Sequence, residues 1–375
     1  MKRVTGAFLA LCIFFTGIQA KTVYAAEVSA KACVLMEAAT GRVLYEKNAQ
    51  QKLPMASTTK IMTTLLTIES GDLDAEFLVD SAAIHVEGSS MGLQEGDYVS
   101  RRDLCYGMLL PSGNDAANAA AVSVSGDIPS FIERMNERAE EIGMTRTCFV
   151  TPSGLDGEGH GASAYDMALL TREAMRNPEF RSICAQTSAA VQFGNPPYDR
   201  TLYNSNKLLT MYEGVIGVKT GFTDEAGRCL VSACERDGVT LLCVTLNAPD
   251  DWNDHIKLYD MGFSGIENAE LAVPDALCIP IAGGTAQQVA LQPAQTVNIG
   301  AWEGDTTAVH TRVLKAPFAY APIAAGEELG TLEYYYETNL IAAVPLCAAE
   351  DVAALPEPEP EHPLLRFWHW LCGRM

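Results

Sequence analysis

The sequence predicts an α+β protein in which helices back an antiparallel sheet, with a small all-β domain attached at its C-terminal side. Three observations carry this prediction. Two strand-like segments open the chain, and three more come only after a block of helical periodicity. Neighbouring strands are joined by short local turns, as antiparallel pairing allows. From about Ala269 the helical period is replaced by short apolar runs separated by Gly, Pro and Asn.

In chain order, Lys2 and Arg3 precede an apolar run from Ala7 to Ile18, and Val23-Tyr24-Ala25 has the small-x-small pattern of a cleavage site. Residues 1–26 are therefore expected to be a secretory signal peptide, cut after Ala25 or Ala26, since the run is short for a retained membrane helix. Strands are predicted at Lys31–Glu37 and Arg42–Glu46, around a turn at Thr40-Gly41. Ser57 introduces a helix over Thr59–Glu69, with Ile61, Leu65, Leu66 and Ile68 on one helical period. Ser100 is placed to cap a helix at Arg101–Leu110, and further helices are predicted at Asp115–Ser125, Pro129–Gly143 and Tyr165–Arg176.

Strand character returns at Gly214–Val218, with Lys219-Thr220-Gly221 expected to close that strand. It continues at Cys229–Cys234 and Thr240–Leu246 through an Asp237-Gly238 turn. Asp251–Met261 reads as a closing helix. Residues 27–266 are thus expected to form the main domain and 267–355 the all-β domain, with short strands at Ala276–Ile281, Gln288–Leu291, Thr296–Ile299, Thr311–Leu314, Gly330–Tyr335 and Leu340–Pro345. The Pro/Glu stretch 356–363 reads as an extended linker. In residues 364–375, Leu364, Leu365, Phe367, Trp368 and Leu371 share one helical face, which is expected to lie on a membrane surface as an anchor too short to span it.

Composition narrows the function. The chain has 48% hydrophobic and 19% charged residues, in the range of globular proteins. Its formal charge is −21, and loss of Lys2, Arg3 and Lys21 with the signal peptide would make it −24. No basic patch is visible, which argues against a nucleic-acid partner. The eleven cysteines show no framework spacing and no CxxC or Cys/His cluster, so mostly free buried thiols and no metal site are expected.

The chemistry lies in three short motifs: Ser57-Thr58-Thr59-Lys60, Ser112-Gly113-Asn114 and Lys219-Thr220-Gly221. Each alone is common. Together and in this order they provide a nucleophile, proton-transfer groups and an anion site, the requirements of acyl transfer through a serine ester. Ser57 and Lys60 are three apart, so at a helix start their side chains reach each other. Lys60 can take the Ser57 proton only when neutral, which requires burial and a neighbouring cation, and Lys219 is the candidate. Ser112 is a candidate proton shuttle, and Asn114 a contact for Lys60 and for a substrate amide. Lys219, Thr220 and Gly221 together suit a bound carboxylate, with Gly221 permitting close backbone approach.

At these residues the chain resembles the serine-type D-alanyl-D-alanine carboxypeptidases, low-molecular-mass penicillin-binding proteins related to serine β-lactamases. Pro111 to Ala117 resembles their SGNDA segment, and Gly217-Val218-Lys219-Thr220-Gly221-Phe222-Thr223 with Ala226-Gly227 their third motif. Met135-Asn136, Gly143-Met144, Gly154-Leu155 with His160, and Asn204 to Leu209 add to the likeness, which is strong over about Ala30–Gly265 and weaker beyond. The resemblance implies a β-lactamase/transpeptidase-like fold. It implies Ser57 as acyl nucleophile, Lys60 as its base, Ser112 and Asn114 as the second element, Lys219, Thr220 and Gly221 as the carboxylate-binding strand, and the backbone N–H groups of Ser57 and Phe222 as the oxyanion hole. The substrate would be a peptidoglycan stem pentapeptide and β-lactams would acylate the same serine. No cofactor or metal is implied, and the enzyme would act outside the cytoplasmic membrane, in the cell wall.

Two residues depart from that pattern. Gly161 replaces a hydroxyl residue after His160. Ser205 stands where some members carry an Arg that helps bind the terminal carboxylate, which leaves that task to Lys219 and Thr220. His160 is expected to pack a loop beneath the site rather than to catalyse. A β-lactamase is the nearest rival reading, but no Glu-x-x-Leu-Asn segment lies between the second and third motifs. A D,D-endopeptidase would share the same nucleophile, and a non-catalytic wall-binding protein would keep the same fold.

Overall fold

The computed structural model describes residues 27–356 together with Trp368 and Cys372. The predicted signal peptide, the linker beyond Pro356 and the amphipathic anchor otherwise lie outside the described residues.

The main sheet has five antiparallel strands: Val43–Lys47, Ala32–Glu37, Val239–Leu246, Gly227–Arg236 and Val215–Thr223, in that spatial order. The two N-terminal strands thus join the three that follow the helices, as the sequence predicts. Asp237 and Gly238 both adopt positive φ, the conformation a tight hairpin between right-twisted strands requires. Every residue of Ala32–Glu37 is buried, because helices cover both faces of the sheet there. Ala164–Arg176 packs on one face and Asp251–Gly265 on the other.

At the centre of the helical layer lies Lys60–Glu69, buried from Lys60 to Ile68. A short 3-10 turn, Ala56–Thr59, leads into it, so Ser57 sits on that turn rather than in the helix. Around it pack Arg101–Leu109, Asn114–Ser125 and Ile128–Ile142. Ser100 caps the first of these in a reciprocal capping box with Asp103, as expected from its position.

Three features differ from the sequence expectation. The third-motif strand does not close at Gly221 but runs on to Thr223, since pairing with Gly227–Arg236 satisfies its backbone through that point. A second sheet of Glu76–Leu78, Tyr98–Ser100, Ser188–Gly194 and Pro197–Tyr203 has no counterpart among the predicted strands; its members are short or half-exposed and lack strict alternation. The helix at Asp251 extends to Gly265 and passes directly into a strand, Ile266–Glu270.

The C-terminal residues form a six-stranded sheet and a two-stranded ribbon around their own core, which includes Ile279, Val289, Leu332, Tyr334, Val344 and Leu346. The strands overlap the six predicted runs, each shifted by a few residues at its ends. Where this part meets the main domain, a Cβ on Gly265 would come within 2.4 Å of the Trp302 indole, so only glycine admits the ring there. Among the described residues all ten cysteines are free, and no cluster has the makings of a metal site.

Candidate active site

Ser57 is delivered by a turn under tight geometric control. Ala56, just before it, has φ +50, outside the region L-residues favour. Gly154 fixes that turn from one side: a Cβ there would stand 2.1 Å from the Ala56 carbonyl oxygen. Gly221 fixes it from the other, where a Cβ would stand 3.1 Å from the Ser57 nitrogen. The third-motif strand and the nucleophile turn therefore meet backbone to backbone.

Lys60 Nζ donates to Ser57 Oγ at 2.9 Å, to Asn114 Oδ1 at 2.7 Å and to the Ser153 carbonyl at 2.6 Å. The lysine is completely buried. Burial drives its pKa well below the ordinary lysine value, the Lys219 charge pushes it the same way, and Asp115 opposes both. In the neutral amine the two N–H groups serve Asn114 and Ser153. The lone pair is left facing the Ser57 hydroxyl.

Lys219 is also completely buried, and burial pushes its pKa down to about 7. Its Nζ donates to the Thr220 carbonyl at 2.9 Å and to Thr220 Oγ1 at 3.4 Å. Thr220 and Ser205 share a hydroxyl–hydroxyl bond of 2.8 Å. Ser112 sits at φ +70, a strained conformation for a non-glycine residue, and its hydroxyl has no protein partner among the described residues.

A cleft of about 370 Å³ joins these elements, with Ser57, Ser112, Thr220, Gly221 and Phe222 on its walls and Asn114, Lys60 and Lys219 behind them. All eight residues singled out from the sequence thus converge. His160 does not enter the cleft: Nε2 bonds Thr59 Oγ1 at 3.0 Å and Nδ1 accepts from the Val150 N–H at 3.0 Å. Burial lowers its pKa to about 4, so it holds the loop as a neutral ring.

Several supporting groups escape a reading of the sequence. The Ser153 carbonyl is a backbone acceptor with no signature of its own beyond the Gly154 that follows. Asp115 organises the cleft's lip, since its carboxylate accepts from the Met91, Gly92 and Leu93 N–H groups at 2.9, 3.0 and 3.0 Å and from Ser90 Oγ at 2.6 Å. Asn114 Nδ2 donates to the Glu87 carbonyl at 2.7 Å, which ties the same loop to Lys60. Asn114 belongs to the second motif and Asp115 follows it, but only the fold reveals that both also hold the loop at Glu87–Leu93.

Comparison with known proteins agrees with this geometry. Residues 19–250 match the family Peptidase S11, D-alanyl-D-alanine carboxypeptidase, and residues 276–354 match the C-terminal domain of penicillin-binding protein 5. A D-alanyl-D-alanine carboxypeptidase of Bacillus subtilis is 33% identical over 336 residues, 86% of each chain. One of Escherichia coli is 34% identical over 357 residues, 88% of this chain and 86% of that protein. Penicillin-binding protein 5 from Haemophilus influenzae superposes with a TM-score of 0.64 at 28% identity, covering 87% of this chain and 98% of that one.

Proposed function

Because the chain belongs to the D-alanyl-D-alanine carboxypeptidase family, we propose that its cleft removes the terminal D-alanine of peptidoglycan stem pentapeptides through an acyl-enzyme on Ser57. The observation that carries this reading is the buried Lys60 amine, 2.9 Å from Ser57 Oγ and held there by Asn114 and Ser153.

Lys60, neutral because it is buried beside Lys219, takes the Ser57 proton as Oγ attacks the penultimate D-alanine carbonyl. The Ser57 and Phe222 N–H groups receive the oxyanion. The proton now on Lys60 passes through the Ser112 hydroxyl, unpartnered at the cleft wall, to the departing amine, so that terminal D-alanine leaves and Lys60 is neutral again. Water then attacks the ester with Lys60 again as base. Val215–Thr223 is an edge strand of the main sheet, so an extended peptide can pair along it while its side chains enter the cleft. Thr220 and Gly221 lie on that edge, with Lys219 supplying charge for the terminal carboxylate.

β-Lactams acylate the same serine, and slow release of the penicilloyl group is expected. The carboxylate lining the cleft is Asp251, which Arg228 engages at 2.8 Å, so it is a poor candidate for the deacylating base of a β-lactamase. The protein acts on the outer face of the cytoplasmic membrane, exported by residues 1–26 and held at the surface by residues 364–375. N-terminal sequencing of the exported protein should start at Ala26 or Glu27, and truncation after residue 363 should release it from membranes.

Incubation with a stem pentapeptide tests the reaction. The mass spectrum should show loss of one alanine to give the tetrapeptide, and Ser57→Ala should abolish it. Cleavage at a cross-link with no release of terminal D-alanine would replace this reading with an endopeptidase.

A further inference from the structure

Residues 267–355 contain eleven Asp and Glu, and their only Lys, Arg and His are His310, Arg312 and Lys315. All three stand on one strand, Val309–Lys315, which pairs only with Glu328–Tyr336 and so forms an edge of the six-stranded sheet. Two of them have partners. Arg312 is held by Glu333 at 2.7 Å, and the His310 ring stacks on Tyr335 with centres 5.5 Å apart. Lys315, the last residue of the strand, is exposed and has no ion-pair partner among the described residues.

Just beyond Lys315 the chain exposes two aromatic rings. Phe318 is 44% and Tyr320 73% exposed, and they meet edge to face with centres 5.2 Å apart. Neither ring belongs to the core of the β part. A lysine at a sheet edge also guards against pairing with another chain. That role does not account for an exposed aromatic pair beside it.

The place where the chain departs identifies what covers the pair. Tyr320 pairs with Ala282 on the neighbouring strand, and the Leu355 N–H donates to the carbonyl of the next residue, Gly283, at 2.7 Å. Leu355 is itself 57% exposed. The rings and the chain's exit therefore lie at one end of the β part, with its one lysine beside them. Residues 356–363 then lead to the amphipathic segment 364–375, and eight residues reach at most about 29 Å. That segment carries Trp368, Trp370, Arg366 and Arg374. Aromatic rings with a neighbouring cation are the composition that settles at a lipid headgroup boundary.

We propose that Lys315, Phe318, Tyr320 and Leu355 form a second lipid contact, through which this end of the β part rests on the bilayer surface beside the tail. Phe318 and Leu355 enter the boundary between headgroups and acyl chains, while the Tyr320 hydroxyl and the Lys315 ammonium stay among the headgroups. Two contacts hold the protein more tightly than the tail alone, because the second forms at the high effective concentration that the first creates. This rests on the reading that residues 364–375 lie on the membrane surface.

The test uses the mature chain from residue 27 and vesicles of phosphatidylethanolamine and phosphatidylglycerol. Cosedimentation gives the affinity, and hydrogen–deuterium exchange gives the segments that lipid protects. Vesicles should protect residues 315–320. Phe318→Ser combined with Tyr320→Ser should weaken binding roughly ten- to a hundredfold, as loss of two apolar anchors does. Leu78→Ser, at an exposed apolar residue of the catalytic part, should bind as the wild type does. Unchanged penicillin acylation and unchanged exchange in the β core show that each variant is folded. Equal binding by the double variant, or no protection of 315–320, would overturn the proposal. Protection already present without vesicles would also overturn it, assigning the patch to the tail if truncation after residue 363 removes it, or to a second copy if dilution does. The same truncation separates the proposal from the reading beneath it. If the truncated chain binds like the full one and the double variant does not, the tail anchor fails and the ring contact stands. If only truncation weakens binding, the ring contact fails and the tail anchor stands. A full chain that binds no vesicles refutes both.

Discussion

Two buried lysines in one site oppose each other's charge, and the protonation of Lys60 follows from that contest. Burial alone lowers Lys60, and the cation at Lys219 lowers it further, while Asp115 acts in the other direction. Activity requires neutral Lys60 and so rises with pH through its pKa. Removing Lys219 relieves the pressure on the ammonium to lose its proton, which raises that pKa. Lys219→Gln should therefore acylate more slowly with labelled penicillin, and the acid limb of its rate–pH profile should move to higher pH. A limb that stays in place or moves to lower pH would show that Lys219 does not set the state of the base. The residues in this contest are legible in the sequence, because nucleophile, base and cation each belong to a short motif. Ser153 is not, since what it contributes is a main-chain oxygen.

Between elements, the critical contact is the seam where the turn Ala56–Thr59 is gripped by Gly154 and by the strand Val215–Thr223. Gly154 and Gly143 both adopt positive φ, at +87 and +88, so an alanine at either is strained. Only Gly154 faces an obstacle as well, the Ala56 carbonyl oxygen at 2.1 Å, while nothing lies within 4 Å at Gly143. Gly154→Ala should destabilise by about 1–3 kcal/mol beyond Gly143→Ala, from overpacking added to the shared backbone penalty. It should also slow acylation of Ser57, as Gly143→Ala should not. Urea midpoints and acylation rates of the two variants check this, and equal effects would mean that the seam does not position the nucleophile. Most elements are readable because their signals are local, such as the Ser100 cap, the Asp237-Gly238 turn and the period of the central helix. The hairpin Ser188–Gly194 and Pro197–Tyr203 is not, because polar, half-exposed strands owe their order to their neighbours. Arg200 supplies one such tie, stacked 3.8 Å from the Phe193 ring centre and bonded to the Gly92 carbonyl at 2.6 Å. The third-motif strand is longer than its sequence suggests because Thr-Gly resembles a stop, whereas cross-strand pairing continues to Thr223.

Over the whole molecule, the catalytic part and the C-terminal β part keep separate cores, with the active site wholly in the first. The change in texture near Ala269 makes the second part visible in the sequence, but not the absence of a linker, since helix Asp251–Gly265 passes straight into the strand Ile266–Glu270. Separate cores joined by a limited contact predict two calorimetric transitions. Covalent penicillin should raise the transition of the catalytic part and leave the other in place, because a ligand stabilises only the unit that binds it. One transition that shifts as a whole would show that the two cores unfold together. The central claim is that Ser57 carries the acyl group in a site that acylates readily and releases penicillin slowly. Its most direct test is mass spectrometry of the protein after brief exposure to penicillin, followed by peptide mapping. The predicted result is one penicilloyl adduct on the peptide containing Ser57, absent from Ser57→Ala. An adduct on another residue, or one that persists in Ser57→Ala, would contradict the account.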